Sequence, residues 1–401
     1  MTYSKFEDDA AVVAFVRAHT DQFTADEPLH VEEIGDGNIN YIYRVKGNEG
    51  SVIVKQALPY IRIIGTDWPL SIDRIRIEAQ VLQTEAMWAP NFVPKMYAFS
   101  AEESAFAMED IGDHENLRFA FIERHPLPSL GEHLGLFLAE TLFHTSDFYL
   151  DYETKKRAVA NYINPGLCKI TEDLFFWDPY CDHERNSISP PVLEAAQGLW
   201  NDKALKIEVT KLKRQFMNCP EALVHGDLHA GSVFVRADST KVIDPEFAFY
   251  GPMAFDIGSI IGNVLLNYAG QFGLAGPKNE RDDYQAFLLG EIVNCWSVFH
   301  KRFTDLVAEK SDEPTMSQPD YVQAFLADVW CETVGFAGTE VIRRTIGLAH
   351  IADIDSIDDI ELRAKSERWA LALGREMIVN RHSISSPDAL NAIALALPLP
   401  Y

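Results

Sequence analysis

The sequence that decides the fold is Val224-His-Gly-Asp-Leu-His-Ala-Gly-Ser-Val233, followed by Val242-Ile-Asp-Pro-Glu246. Residues 232–244 contain two short runs of β-forming residues on either side of a polar turn, which predicts a hairpin. This hairpin would fold Asp227, in the first stretch, back beside Asp244, seventeen positions later.

The two stretches supply carboxylates in different settings. Asp244 and Glu246 follow a predicted strand, and alternate residues of an extended backbone point the same way. Two carboxylates on one side suit Mg²⁺, which prefers oxygen ligands. Asp227, on a separate loop, is suited to accept a proton from a substrate hydroxyl. A metal clamp and a positioned base are parts that phosphoryl transfer requires.

Simpler interpretations of these stretches remain open. His-Gly-Asp227 is also typical of a turn with a capping aspartate, and Asp-Pro-Glu246 of a solvated turn. His225 and His229 also suggest zinc, but no further His or Cys stands at ligand spacing. The occurrence of both stretches at this spacing favours the Mg²⁺ interpretation.

A second candidate site lies in the first hundred residues. Gly35-Asp-Gly-Asn-Ile-Asn40 stands between two predicted strands. A loop of this composition lets backbone amides near Gly35, Gly37 and Asn38 approach phosphate oxygens. An ordinary hairpin turn explains the same pattern at least as well.

Lys55 and Glu78 form a pattern across a strand and the helix that follows it. Lys55 ends the apolar run Val52-Ile-Val-Lys55, and Glu78 lies 23 positions later in a predicted helix. Lys55 alone is explained as an edge residue that reaches solvent, and Glu78 alone as a solvated side chain. Together they match the Lys–Glu ion pair of the protein-kinase fold.

The remaining pattern predicts an α+β chain with two lobes. Apolar residues in 72–86 recur at offsets of three and four, which predicts a helix, and short β-rich runs surround it up to residue 108. Beyond residue 112 the pattern is mostly helical. We therefore expect a small β-rich lobe at 1–108, a connector at 109–112 and a helical lobe at 113–401.

Composition narrows the class of protein. The 401 residues carry 35 Lys+Arg against 60 Asp+Glu, a net charge of −25, which argues against nucleic acid as a partner. The five cysteines are scattered, as expected for reduced thiols in a cytoplasmic protein. No secretory segment follows the polar N-terminus, and the longest apolar stretch, Ala389–Leu397, is too short to span a membrane.

The order of these features resembles the kinase-like small-molecule phosphotransferases, a family that includes aminoglycoside and choline kinases. Longer segments resemble one group of sugar kinases within it: Gly-Asp-Gly-Asn-Ile-Asn40, Val-Lys-Gln-Ala-Leu-Pro-Tyr-Ile-Arg62, His-Gly-Asp-Leu-His-Ala-Gly-Ser232, Ile-Asp-Pro-Glu-Phe-Ala-Phe-Tyr-Gly-Pro252 and Gly-Thr-Glu-Val-Ile-Arg-Arg344. The likeness covers nearly the whole chain. It implies a bilobal protein-kinase-like fold and phosphate transfer from ATP to the anomeric hydroxyl of a small neutral sugar.

The resemblance also implies roles for particular residues and a homodimeric assembly. Asp227 would be the catalytic base and would bind the sugar together with Arg343 and Arg344, while Asp244 and Glu246 would hold Mg²⁺. Lys55, paired with Glu78, would contact the phosphates, and the connector backbone would bind adenine. The implied nucleotide site comprises Gly35, Gly37, Asn38, Lys55, Glu78, Glu109, Asp110, Ile111, Asp244, Pro245 and Glu246.

The chain departs from protein kinases at the metal site. Ser232 stands five positions after Asp227, where protein kinases carry a metal-binding Asn, and Asp-Pro-Glu246 replaces Asp-Phe-Gly. We expect Glu246 to supply the missing metal oxygen.

The substrate is the least determined feature. Glu340 lies four residues before Arg344, the favourable order for an ion pair, so Arg343 is expected to be the freer of the two arginines. Three alternatives remain: a kinase for a cation such as an aminoglycoside or choline, a kinase for homoserine or another sugar, and a pseudokinase. A pseudokinase is disfavoured because Lys55, Asp227 and Asp244 are all present.

Overall fold

The computed structural model describes residues 5–35, 39–48, 50–62 and 65–398, with only the backbone for 66–68. The strands are β1 (His30–Ile34), β2 (Tyr41–Lys46), β3 (Ser51–Gln56), β4 (Tyr60–Ile61), β5 (Gly65–Pro69), β6 (Met96–Ser100), β7 (Ala105–Glu109), β8 (Glu115–Asn116), β9 (Ala222–Val224), β10 (Val233–Arg236), β11 (Ser239–Val242) and β12 (Phe249–Gly251). The helices are α1 (Asp9–His19), α2 (Asp73–Trp88), α3 (Leu117–Ile122), α4 (Leu130–His144), α5 (Tyr152–Asn161), α6 (Pro165–Phe176), α7 (Leu193–Asn201), α8 (Lys203–Asn218), α9 (Met253–Gly270), α10 (Lys278–Lys310), α11 (Pro319–Ile346), α12 (Ala352–Asp355), α13 (Ile360–Asn380) and α14 (Pro387–Ala396).

The N-terminal sheet is antiparallel, with strand order β1-β2-β3-β7-β6. Residues of β3 alternate between its two faces. Val52 and Val54 pack in a cluster with α1, whereas Ile53 packs in the cluster that includes Ile75 of α2. Lys55 shares the parity of Ile53, so its side chain is directed to the α2 side of the sheet.

The C-terminal part is helical and is organised around α9. Every residue of this helix is buried, because α10, α11 and α13 all pack against it. Close approach of α9 and α11 requires glycine at 262, where an added Cβ would lie 2.9 Å from the carbonyl oxygen of Ala337. This packing brings the C-terminal half of α11 toward the loop that follows β9.

The expected α+β fold class is confirmed. Two predicted elements are present with different boundaries. The strand expected from Ile39 begins at Tyr41, and the helix expected from Thr333 is part of α11, which begins at Pro319. The β4–β5 hairpin was not predicted. The lobe boundaries at 1–108, 109–112 and 113–401 stay a prediction.

Among the described residues, no helix combines the length and apolar character needed to cross a membrane.

Candidate active site

The loop after β9 and the turn after β11 are fastened to each other by His225. Its Nε2–H donates to the carbonyl oxygen of Ile243 over 2.9 Å, and its Nδ1 accepts the backbone N–H of Asp227 over 3.3 Å. The expected proximity of Asp227 and Asp244 therefore rests on a buried histidine as well as on the hairpin. Because both ring nitrogens are engaged, His225 has none left for zinc.

The loop backbone is held in one conformation by Asp256 and Gly226. The buried carboxylate of Asp256, on α9, accepts the backbone N–H groups of His225 over 2.6 Å and of Gly226 over 3.0 Å. Gly226 has φ +83°, and a Cβ there would lie 2.3 Å from the carbonyl oxygen of Phe247. Only glycine satisfies both conditions without a backbone shift.

The carboxylate of Asp227 lies among three basic side chains. Arg343 Nη2 lies 3.4 Å and Arg344 Nη2 3.9 Å from Asp227 Oδ1, while His229 Nε2 lies 3.3 Å from Oδ2. Burial by itself would raise the pKa of Asp227, but His229, Arg343 and Arg344 outweigh it and hold this pKa well below the usual range. Asp227 is therefore ionised across the physiological pH range.

His229 directs its Nε2–H toward Asp227. Its Nδ1 accepts the backbone N–H of Gly231 over 2.8 Å, which leaves the proton on Nε2, the nitrogen that faces Asp227. Burial lowers the pKa of His229, although Asp227 opposes this effect. As with His225, both ring nitrogens are engaged, so the described residues do not support the zinc interpretation.

Glu340 holds both arginines of α11. Its fully buried carboxylate accepts Nε–H of Arg343 and, over 3.0 Å, Nε–H of Arg344. The expected ion pair of Glu340 with Arg344 is confirmed. Arg343 is not the freer of the two arginines, because its guanidinium group pairs with the same carboxylate. Arg343 also stacks 3.7 Å from the ring centroid of Phe175. Burial and the neighbouring Arg344 lower the pKa of Arg343 to about 10.

Lys55 is buried between two carboxylates. Its Nζ lies 2.8 Å from Glu78 Oε1 and also pairs with Asp244 Oδ1. Burial would lower the pKa of Lys55, but Asp244, Glu78 and Glu246 raise it above the ordinary value. The interpretation of Lys55 and Glu78 as solvent-exposed side chains is therefore wrong, because β3 and α2 bury both side chains against each other.

Glu78, Asp244 and Glu246 form a group that could hold a metal ion. One carboxylate oxygen from each lies within 4.8 Å of the others. Burial and the charge of Asp244 raise the pKa of Glu246 to about 7, against the opposing charges of Lys55 and Arg74. A divalent cation would offset this crowding of carboxylates, and an all-oxygen donor set suits Mg²⁺.

Asp244 and Glu246 come together through a different backbone conformation from the extended one that was expected. Asp244 is not extended but left-handed, with φ 70° and ψ 44°, and Glu246 lies in a short 3₁₀ turn, Pro245–Phe247. The turn reverses the chain after β11. Asn164 Nδ2 holds it by donating to the carbonyl oxygens of Glu246 over 2.9 Å and Ala248 over 3.1 Å.

Ser232 is buried and donates its hydroxyl to the carbonyl oxygen of Asp227 over 3.1 Å. It thus braces the loop backbone.

The residues of the predicted connector form hydrogen bonds through side chains in some cases and through the backbone in others. The Asp110 carboxylate accepts from Arg44 over 2.7 Å and from the Ser51 hydroxyl over 2.6 Å, so its side chain anchors the connector to the sheet. The carbonyl oxygen of Ile111 accepts the backbone N–H of His114 over 2.9 Å.

Gly35 follows β1 directly and is exposed, and its carbonyl oxygen accepts a hydrogen bond from Arg62 over 3.0 Å. The backbone N–H of Glu109, which ends β7 and begins the predicted connector, donates to the carbonyl oxygen of Lys95 over 2.8 Å. Gly37 and Asn38 lie outside the described residues.

Sequence reasoning missed several polar residues that support the site. They are Asn40, Arg74, Asn164, Asp256 and Asn263. None belongs to a periodic pattern or a compact motif, although Asn40 ends the glycine-containing segment that was singled out.

The sequence profile of the phosphotransferase enzyme family matches residues 30–291. A methylthioribose kinase of Yersinia pseudotuberculosis is 48% identical over 350 residues, covering 87% of this chain and 86% of that protein. A methylthioribose kinase of Pectobacterium atrosepticum is 46% identical over 363 residues, covering 90% of each. The solved structure of a glucosamine kinase with glucosamine, ADP and inorganic phosphate aligns with TM-score 0.50 and 12% identity, over 92% of this chain and 83% of that one, a likeness of fold alone.

The profile spans well over half of the chain, and the two relatives align along nearly all of it. The sugar kinases that the longer sequence segments resemble are this same group. The chain is thus a small-molecule kinase that belongs to the phosphotransferase enzyme family and, within it, to the methylthioribose kinases.

Proposed function

We propose that this chain transfers the γ-phosphoryl group of ATP to the anomeric hydroxyl of 5-methylthioribose, giving 5-methylthioribose 1-phosphate and ADP, a step of methionine salvage. The assignment of the substrate rests on the sequence identity of 46–48% to methylthioribose kinases over most of the chain. The charges at the candidate site support a neutral sugar. Asp227 and Glu340 balance Arg343 and Arg344, so the group has no net charge to recruit a cation.

Asp227 is the proposed catalytic residue. Since its pKa is held low, it accepts a hydrogen bond from the sugar hydroxyl as a carboxylate and takes the proton late, as the phosphorus–oxygen bond forms. His229 keeps the carboxylate oriented through its Nε2–H. Arg343 and Arg344 offer guanidinium donors to sugar hydroxyls and to the charge on the transferring phosphoryl group.

The nucleotide is proposed to bind between a lobe at 1–108 and a lobe at 113–401. Lys55, oriented by Glu78, would contact the α- and β-phosphates, and amides near Gly35, Gly37 and Asn38 would cover them. Backbone groups of the 109–112 connector, within Glu109, Asp110 and Ile111, would bind adenine.

The turn Asp244, Pro245 and Glu246 would border the phosphates beside Lys55, which pairs with Asp244. Asp244 and Glu246 would hold Mg²⁺, whose chemistry is to neutralise phosphate charge. The distance of 4.8 Å or less between their carboxylate oxygens supports this assignment.

A substrate panel tests the function. ADP release is measured with methylthioribose, ribose, choline, kanamycin and homoserine at matched concentrations. We expect the highest kcat/KM with methylthioribose and a product whose phosphate couples to carbon 1 in ¹³C NMR. Faster turnover of choline or kanamycin would contradict the proposal, and so would a product phosphorylated at another hydroxyl.

We further propose that the protein acts in the cytoplasm as a homodimer. The scattered, unpaired cysteines support a reducing compartment, and the family resemblance favours the dimer. Light scattering after gel filtration should give twice the chain mass of 45.2 kDa, and a monomer mass would contradict the dimer.

A further inference from the structure

Asn40 links the segment after Gly35 to the candidate metal site. It is 2% exposed, and its Nδ2 donates to Glu246 Oε2 over 2.6 Å, across 206 positions of sequence. None of the roles proposed above uses this side chain. A buried hydrogen bond between two such distant segments calls for an explanation in terms of the site.

The orientation of the Asn40 amide is fixed by Arg74. Arg74 Nε donates to Asn40 Oδ1 over 2.9 Å, so the amide oxygen faces Arg74 and the amide nitrogen faces Glu246. Arg74 is itself 1% exposed and is anchored by the carbonyl oxygens of Ser71 and Leu58 over 2.8 and 2.9 Å. Asn40 therefore stands against a rigid support on α2.

Asn40 also separates Arg74 from Glu246. Arg74 Nε lies 3.8 Å from Glu246 Oε2, beyond hydrogen-bond distance, while Asn40 bonds to both. Removing the amide would leave Arg74 Nε without its acceptor beside a carboxylate. A charge-assisted hydrogen bond between Arg74 and Glu246 would then be favoured, and it would turn the carboxylate away from Asp244.

Glu246 has one oxygen left for a cation. Of the two carboxylate oxygens of Glu246, only Oε2 accepts a hydrogen bond from the described residues. The backbone of Glu246 is held separately by Asn164. With Oε2 and the backbone both fixed, the Glu246 carboxylate has little freedom to turn away from Asp244. Groups that orient metal ligands in this way commonly change metal affinity when they are removed.

We propose that Asn40, oriented by Arg74, is a positioning residue that holds Glu246 in the geometry required for the divalent cation. The pair thereby couples the end of the glycine-containing segment, on the N-terminal side of the chain, to a metal ligand on the C-terminal side. This inference rests on the proposed function only for the assignment of Asp244 and Glu246 to the metal.

The test measures Mn²⁺ binding by EPR to the full-length enzyme with ADP present and no sugar. Asn40→Ala should raise the Mn²⁺ dissociation constant by about 10-fold or more, while ADP affinity without metal stays within about two-fold. Asn40→Leu, which keeps the branched shape of the side chain, should behave in the same way if the alanine variant folds poorly. The proposal is overturned if the folded variant binds Mn²⁺ within two-fold of wild type.

A double-mutant cycle separates positioning from general damage. In a Glu246→Gln background, Asn40→Ala should have little further effect on Mn²⁺ affinity, because it acts through that carboxylate. Additive effects would contradict the proposal.

The control is Asn161→Ala. Asn161 also contacts an arginine of α2, Arg76, but outside the carboxylate group, and its loss should leave Mn²⁺ affinity unchanged. Since no sugar is present, failure of this test is distinct from failure of the substrate panel.

Discussion

At the scale of single residues, the proposed chemistry depends on Asp227. Asp227→Asn keeps the shape but removes the proton acceptor and the charge that balances Arg343 and Arg344. We expect kcat to fall by about 10²–10⁴-fold, the usual cost of losing a general base. ADP affinity should be unchanged, because Lys55, which carries the proposed phosphate contact, bonds to other carboxylates. Steady-state kinetics and ADP titration measure both.

Asp238→Asn provides the matched control, since this exposed aspartate lies in the β10–β11 turn and pairs only at the surface with Arg236. It should retain wild-type kcat. If Asp227→Asn kept more than about a third of wild-type kcat, the carboxylate would not be the base.

At the scale of elements, the geometry of the site depends on the packing of the β9 loop against the 3₁₀ turn after β11. Gly226→Ala would force a Cβ to within 2.3 Å of the Phe247 carbonyl oxygen, at a positive φ of +83°. We expect a loss of about 1–3 kcal/mol in the free energy of unfolding from backbone strain. Displacement of Asp227 by about 1 Å should also reduce kcat by about 10²-fold. Denaturant unfolding and kinetics test the two effects.

Gly198→Ala makes the same substitution where nothing lies within 4 Å, in the middle of α7. It should leave kcat unchanged and stabilise the protein by up to about 1 kcal/mol, because alanine is the better helix former. Equal behaviour of the two variants would mean that the close packing at Gly226 does not constrain the site.

At the scale of the whole molecule, buried acidic groups such as Glu332 make the free energy of unfolding depend on pH. Burial, with the charge of Glu221, raises the pKa of Glu332 to about 8, while the hydrogen bond from Gln215 opposes this. An acid with a raised pKa binds its proton more tightly in the folded state. Its favourable contribution is therefore complete below the unfolded pKa near 4.5 and is lost as the pH rises through 8.

Glu332→Gln should therefore raise Tm relative to wild type, with a gain that grows between pH 5 and pH 8 and then levels off. Differential scanning calorimetry across this pH range measures the gain. Glu194→Gln, at an exposed position of α7, should show no such trend. If Glu332→Gln instead changed Tm by the same amount at every pH, the pKa of Glu332 would be the same in the folded and unfolded states.

The motifs were predictable from sequence because their residues lie close together along the chain. His-Gly-Asp227 and Asp-Pro-Glu246 are short motifs joined by a hairpin. Local turn and strand preferences suffice to bring two such motifs together. The same holds for Lys55 and Glu78, which lie on a strand and the next helix of the chain. Their ion pair was predictable because a strand lysine followed by a helical glutamate matches the pattern of the protein-kinase fold.

The amino-acid sequence by itself determined the fold class. It also indicated the carboxylates and Lys55 of the candidate site and, through the family resemblance, the pair Arg343 and Arg344. The tertiary structure alone decided how these groups are supported: Asn40 lies between Arg74 and Glu246, and Glu340 binds Arg343 in addition to Arg344, the partner that the sequence indicated. It also decided the left-handed backbone of Asp244. The physical reason is that buried polar groups must find partners wherever packing brings them, and partners such as Asn40 and Glu246, 206 positions apart, share no local pattern.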